Sequence, residues 1–204
     1  LIRWNHPQRG ELAPDQFITV AEDSGLIVPI GDWVLREACR AARGWVEAFG
    51  ADLKVAVNLS ARQFGAADLA ASVAAALRES RLPAKNLELE VTESLVMADA
   101  DRSAATLAEL KRMGIALSID DFGTGYSSLA YLRRFPIDHI KIDRSFVNDI
   151  ATDPDGAAIC ASIIAMAHAL RLQVVAEGVE TEAQRGFLRQ RQCDRMQDYL
   201  FGKP

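Results

Sequence analysis

Basic residues are too few for a nucleic-acid surface: 23 Lys and Arg stand against 28 Asp and Glu, a formal net charge of -5. That balance excludes a sequence-independent grip on duplex nucleic acid, which needs a strong cationic excess to neutralise phosphates. A phosphate-bearing ligand has to be handled locally. Cysteine is also sparse. Cys39, Cys160 and Cys193 are widely spaced, form no CxxC pair and leave an odd count, which excludes a disulfide framework and fits a reducing compartment. Their expected role is as small core residues. Long apolar runs are missing too: "AAICASIIAMAHAL", from Ala157 to Leu170, falls short of the roughly 20 residues that span a bilayer and contains a His. It reads as a buried helix. No signal peptide, low-complexity tract, linker, like-charge run or internal sequence repeat is visible. The opening "LIRWNHP" looks like the inside of a fold, so the chain is expected to be excised from a longer protein.

What remains is a chain of 204 residues, half of them apolar, long enough for one substantial core and read as a single domain over residues 1–204. Short β-branched or alternating segments recur: "LIRW", "LKVAVNLS", "LELEVTES", "IALSIDDFG", "HIKID", "LQVVAEGV" and "RMQDYLF". Segments of helical period lie between them. Ile30–Phe49 puts Trp33, Val34, Ala38, Ala41 and Trp45 on an expected apolar face, and Asp101–Met113 does so with Ala104, Leu107 and Leu110, leaving Lys111 to solvent. Asp68–Arg78, Asp155–Leu170 and Thr181–Arg189 are further helices, with Asp101 and Thr181 expected as N-caps. Sustained strand–helix alternation predicts parallel βα units. A (β/α) barrel fits better than a doubly wound sheet, because no dinucleotide-type glycine fingerprint follows the first strand; the open sheet stays an alternative at this point. An eighth strand would precede Leu1.

A barrel enzyme keeps its chemistry at the C-terminal ends of its strands. Here those ends carry Asn58, Glu90, Asp120, Lys141 with Asp143 two further on, Glu177 and Gln197. Each alone has a structural explanation as a cap, turn or solvated charge. Together, the four carboxylates on one rim would repel one another without a cation. All-oxygen donors with no Cys or His at these strand ends select a hard divalent ion, Mg²⁺ or Mn²⁺, singly or as a pair, over zinc. In "SIDDFGTGYSS", successive strand side chains face opposite ways, so Asp120 and Asp121 can share the mouth only if the chain leaves strand geometry between them. Gly123 and Gly125 are expected to allow that bend.

With these words in place, the chain resembles the EAL domain family, bacterial cyclic-di-GMP phosphodiesterases. "LIRWNHPQRGELAPDQFITVAEDSGLIVPIGDWVLREAC", "VAVNLSARQF", "LELEVTES", "DDFGTGYSSLAYLRRFPIDHIKID", "VVAEGVET" and "QDYLF" occur in the family's order. The resemblance implies a modified (β/α)8 TIM-like barrel, truncated at its N-terminal edge here, that hydrolyses one phosphodiester bond to give linear pGpG with Mg²⁺ or Mn²⁺, two ions in number. It implies metal ligands at Asn58, Glu90, Asp120, Asp121, Glu177 and Asp143, with Asp120 bridging. Lys141 and Glu177 become catalytic, holding the attacking water and accepting its proton, and Glu93 steadies the "DDFGTGYSS" loop. Arg3, Leu1, Gln197 and Glu180 become substrate-binding. The naming tripeptide ends at Leu1, which puts a further metal-binding Glu two positions upstream of this chain. Asp198 and Gln192 stand where the family usually has Gly, and Asp198 is expected to point to solvent. The implied setting is cytoplasmic, in a homodimer downstream of a GGDEF or sensory domain. The alternative is an inactive module that binds cyclic-di-GMP without cleaving it.

Overall fold

The β-branched runs and the amphipathic segments between them fold as βα units. The computed structural model describes residues 2–50, 53–125, 129–151 and 153–202. The chain divides into two units, one of Leu1–Leu89 with Arg112–Ile115 and one of Glu90–Lys111 with Ala116–Pro204.

The first unit opens differently from the expected strand "LIRW". Its β1 (Trp4–His6) pairs antiparallel with β2 (Gly10–Leu12). The connecting turn is held by His6 Nδ1, which accepts from the amides of Gln8 and Arg9 at 3.1 and 3.2 Å. A local hairpin thus takes residues that pattern alone assigns to a parallel strand. After α1 (Ile18–Ser24) comes α2 (Ile27–Phe49), whose buried stripe is Ile27, Gly31, Leu35, Cys39 and Ala42. Trp33 and Trp45, expected on the buried face, are 56% and 49% exposed. The small Cys39 and Ala42 in the actual stripe let α2 lie close against α4 (Leu69–Ser80), where two indoles would hold the helices apart. Between them lie β3 (Val55–Asn58) and the one-turn α3 (Ala61–Phe64), capped by Ser60 Oγ accepting from the Gln63 amide. Neighbouring β3 is β4 (Leu87–Thr92), whose first residues belong to this unit.

The second unit continues from β4 through α5 (Glu93–Ala98), α6 (Ala100–Arg112), β5 (Ala116–Phe122), α7 (Leu129–Leu132), β6 (His139–Ile142), α8 (Arg144–Asn148), α9 (Pro154–Ala169), β7 (Gln173–Ala176), α10 (Glu182–Gln190) and β8 (Arg195–Met196). Strands β4 to β8 neighbour one another in chain order, and β5 to β8 pair in parallel. This sequential order is that of a (β/α) barrel; a doubly wound sheet reverses its order at a switch point. Leu117, Ile119, Ile140, Ile142, Val174 and Ala176 are fully buried. Between them in sequence, on the opposite face of β5 and β6, stand Ser118, Asp120, His139 and Lys141, also buried.

Helix ends differ in detail from the pattern. Since α6 starts at Ala100, Asp101 sits in its first turn, and it is Asp99 that accepts from the Arg102 amide at 3.2 Å. Lys111 is not a free solvent charge, because its ammonium pairs with Asp138 at 2.5 Å. Thr181 caps α10 as expected, accepting from the Gln184 amide. The apolar α9 buries Cys160, Ile163, Ile164 and Ala167. Burial pushes the thiols of Cys39 and Cys193 up to about 11 and that of Cys160 to about 12, so all three are inert protonated packing groups. Among the described residues, no helix is long and apolar enough to cross a membrane.

Candidate active site

Lys141 is the centre of the charged cluster in the second unit. Its place on β6 between Ile140 and Ile142, both fully buried, turns its stem to the polar face of the strand. From there Nζ reaches Glu177 Oε1 at 2.6 Å, Glu90 Oε2 at 2.8 Å and Asp120 Oδ2 at 3.1 Å. The four side chains are 5%, 18%, 8% and 12% exposed for Lys141, Glu177, Glu90 and Asp120. The expected mutual repulsion of the carboxylates is therefore met first by the protein's own lysine. Burial works against the ammonium, but the three carboxylates outweigh it and push Lys141 above its usual range. One ammonium among three carboxylates leaves the cluster short of positive charge. Glu177 shows the deficit: burial above all, with Asp120 and Glu90 nearby, pushes its carboxyl up to about 7 even against Lys141.

Glu177 follows the last residue of β7, and its amide donates to Ile142 O at 3.2 Å. Gln197, one past β8, donates from Nε2 to Glu177 Oε1 at 3.0 Å. The same carboxylate oxygen thus receives both the lysine and the amide. Glu90, for which a solvent-facing position on an alternating strand was the plain alternative, is only 6% exposed.

The Asp120–Asp121 doublet departs from strand geometry, though not where the glycines suggest. The register of β5 against β6 shifts between Ile119 and Phe122, and Asp121 itself takes φ +53°. Aspartate tolerates the left-handed region, so the turn is made two residues before Gly123. The Asp121 amide then donates to Asp120 Oδ1 at 3.0 Å, while Asp121 O accepts from the Thr124 amide at 3.3 Å and from Thr124 Oγ1 at 2.8 Å. Burial, then the charges of Asp120 and Asp143, raise the Asp121 carboxyl. Gly123 has its own requirement: at φ +100° a Cβ would sit 2.8 Å from the Phe146 ring. The fully buried Glu93, first residue of α5, accepts from the Gly123 amide through Oε2 at 2.7 Å. Its carboxylate holds the start of the loop. Tyr126, Ser127 and Ser128 of that loop lie outside the described residues.

Of the other expected site residues, Asp143 is near enough for its charge to raise the Asp121 carboxyl. Asp143 caps α8, accepting from the Ser145 amide at 3.0 Å and from Ser145 Oγ at 2.5 Å. Glu180 is exposed, with its amide donated to Gln184 Oε1 at 2.8 Å. Asn58 and Arg3 belong to the first unit. Asn58 ends β3, and Arg3 lines a cavity of about 660 Å³ with Trp4, Phe17, Ile30 and Trp33, its Nε lying 3.8 Å from Glu11. Leu1 lies outside the described residues. Gln192 and Asp198 both have positive φ, +62° and +104°. Asp198 does not simply face solvent: its Oδ2 accepts from the Gly178 amide at 2.6 Å. The sequence signal for this bond was weak, a carboxylate where a turn glycine would be unremarkable.

Among the described residues no group of three or more His, Cys, Asp or Glu side chains is arranged to hold a metal ion, since Lys141 stands between the carboxylates. The donor chemistry nevertheless fits a hard divalent cation: the groups are oxygen donors, buried and under-compensated in charge, with two carboxyls raised.

The family model for the EAL domain matches residues 1–204. Over all 204 residues the chain is 53% identical to the Pseudomonas aeruginosa protein named bifunctional diguanylate cyclase/cyclic di-GMP phosphodiesterase MucR, and 51% identical to that organism's cyclic di-GMP phosphodiesterase NbdA. It spans 30% and 26% of the lengths of these two relatives. A solved structure described as the PaMucR phosphodiesterase in complex with c-di-GMP superposes with TM-score 0.97 at 53% identity, covering the whole of this chain and 83% of that one. The EAL phosphodiesterases generally use divalent metals.

Proposed function

The chain belongs to the EAL domain family, and from that premise we propose that it hydrolyses one phosphodiester bond of cyclic-di-GMP to give linear pGpG, with Mg²⁺ or Mn²⁺. The observation that carries the reading is the buried Lys141 shared by Glu90, Asp120 and Glu177, a charge-deficient cluster unlike a structural ion pair. Lys141 supplies a fixed positive charge beside the attacking water and favours the negative charge that builds on the phosphate oxygens. Glu177, whose carboxyl burial raises to about 7 in the metal-free protein, is the group placed to accept a proton at Oε1. Gln197 fixes the direction of that oxygen. Glu90, Asp120 and Asp121, with Glu177, are the oxygen donors that would hold the divalent ions. Bound divalent ions lower the pKa of coordinated water and neutralise charge on the phosphate and the departing oxygen. Glu93 acts at one remove, through the Gly123 amide.

The same reading assigns Arg3, Leu1 and Glu180 to substrate and Asn58 and Asp143 to metal, each open to single substitution. It places the domain within a longer protein, with a GGDEF or sensory module and a second copy as partners. The test is to incubate the full-length protein with cyclic-di-GMP and Mg²⁺ or Mn²⁺ and separate the products by chromatography. Linear pGpG, abolished by EDTA, is the expected result; tight binding with no linear product would make the domain a receptor.

A further inference from the structure

We propose that Asp198 is a positioning residue for Glu177, acting through the Gly178 amide; this rests on the phosphodiesterase reading of the Lys141 cluster. The chain turns sharply after Glu177. Gly178 has φ +73°, and a Cβ there would lie 2.6 Å from Arg144 Cβ, so the turn has a single tight path. The backbone on either side is tied down: Glu177 N donates to Ile142 O at 3.2 Å, Gln197 N to Ala176 O at 3.0 Å and Val179 N to Gln197 O at 3.2 Å. Between these, the Gly178 amide is met by the Asp198 carboxylate at 2.6 Å, a short charge-assisted bond.

Asp198 makes that bond from φ +104°, a conformation that residues with a Cβ rarely adopt. Glycine would take this φ freely but would offer no acceptor. The consecutive residues Gln197 and Asp198 thus hold Glu177 from two sides, one at its carboxylate oxygen and one at the amide that follows it. A displacement of the backbone at Gly178 would carry Glu177 with it and draw Oε1 away from Lys141, now 2.6 Å distant.

Three substitutions in the full-length protein separate this role from a structural one. Asp198→Gly removes the acceptor and relieves the positive φ, Asp198→Ala removes the acceptor alone, and Asp198→Asn keeps an acceptor and tolerates the φ. The first two are expected to lower kcat about tenfold with KM for cyclic-di-GMP within about threefold, while the Asn variant stays within about threefold of the parent in both. In ¹H–¹⁵N spectra of the metal-free protein, the Gly178 amide should exchange about tenfold faster in the Gly variant than in the parent and the Asn variant. Parent-like kcat in Asp198→Gly, with or without a lowered melting temperature, or an unchanged Gly178 amide, overturns the proposal. Should the parent itself fail to hydrolyse cyclic-di-GMP, the phosphodiesterase reading falls, and a Mn²⁺ titration decides the role of Asp198. Binding about tenfold weaker in the Gly than in the Asn variant supports it, and equal binding overturns it.

Discussion

The two ends of the strands in the second unit handle charge in opposite ways. Just before β6, Asp138 places its carboxylate on Lys111 at 2.5 and 2.6 Å and accepts from the Leu117 amide at the start of β5 at 2.9 Å. Just before β8, Asp194 repeats the device, meeting His168 Nε2 at 2.9 Å and the Val174 amide at the start of β7 at 2.8 Å. Each carboxylate has one basic side chain from the preceding long helix and one amide from the neighbouring strand. Both pairs are about a third exposed. At the other end, three carboxylates share Lys141 in a far drier setting. The carboxyl groups respond accordingly. Burial opposes it, but the bonds from His168 and Val174 hold Asp194 below the usual carboxylate range, whereas Glu177 is driven up to about 7. A carboxylate with donors of its own pins strands together, whereas three buried carboxylates that share one ammonium stay short of positive charge.

The largest break in this contrast comes from Lys141→Met. It leaves three buried carboxylates without their cation, and we expect a stability loss of about 3–5 kcal/mol in urea titrations with EDTA. Hydrolysis should fall by on the order of 10³-fold in the chromatographic assay. Asp120→Asn comes next, with turnover down by on the order of 10²-fold but the metal-free fold as stable as the parent or more so, since one of three competing negative charges is gone. A near-normal rate in that variant would show that Asp120 has been given the wrong role.

The third prediction concerns pH. The Glu177 carboxyl is raised from 4.5 to about 7 in the fold, so between those values the folded metal-free chain binds more protons than the unfolded one. Its contribution to stability is complete below pH 4.5 and lost as pH rises through about 7. Glu177→Gln should flatten this slope by on the order of 2 kcal/mol, read from unfolding curves at pH 5 and about pH 8. An unchanged slope would mean that Glu177 is ionised throughout.

At the balanced end the effects shrink. Lys111→Met should cost about 1 kcal/mol and leave hydrolysis at the parent rate. Asp194→Asn should cost stability at neutral pH and cease to matter in acid: a lowered carboxyl stabilises the fold above its unfolded value of 3.8, and that contribution disappears as pH falls below it. The parent should therefore lose melting temperature more steeply than the variant below that pH. A large activity loss in Lys111→Met would erase the distinction between the two ends.

Much of the site could be read in the sequence because it follows strand period. Glu90, Asp120 and Lys141 alternate with apolar neighbours, and the parallel order of strands brings such positions to one face without further information. Residues outside that period were harder to place. Asp143 reads as one more rim carboxylate; in the fold its Oδ1 also accepts from Ser145 at the start of α8. Asp198 reads as surface charge, yet it grips a backbone amide 20 positions earlier in the chain. The same limit applied to the helices: the period of α2 was legible, but Trp33 and Trp45 drew the buried face toward themselves on paper, while close packing chose the small residues.

By itself the sequence determined the βα alternation, the family and the identity of the acidic residues, because these depend on local propensity and on words of adjacent residues. Tertiary structure alone decided that Lys141 is the counter-charge, that Asp121 makes its own turn and that Asp198 supports the residue after Glu177. Each of these depends on distances between strands that are remote in the chain, and on how far burial leaves charges unscreened; neither is encoded in any short stretch.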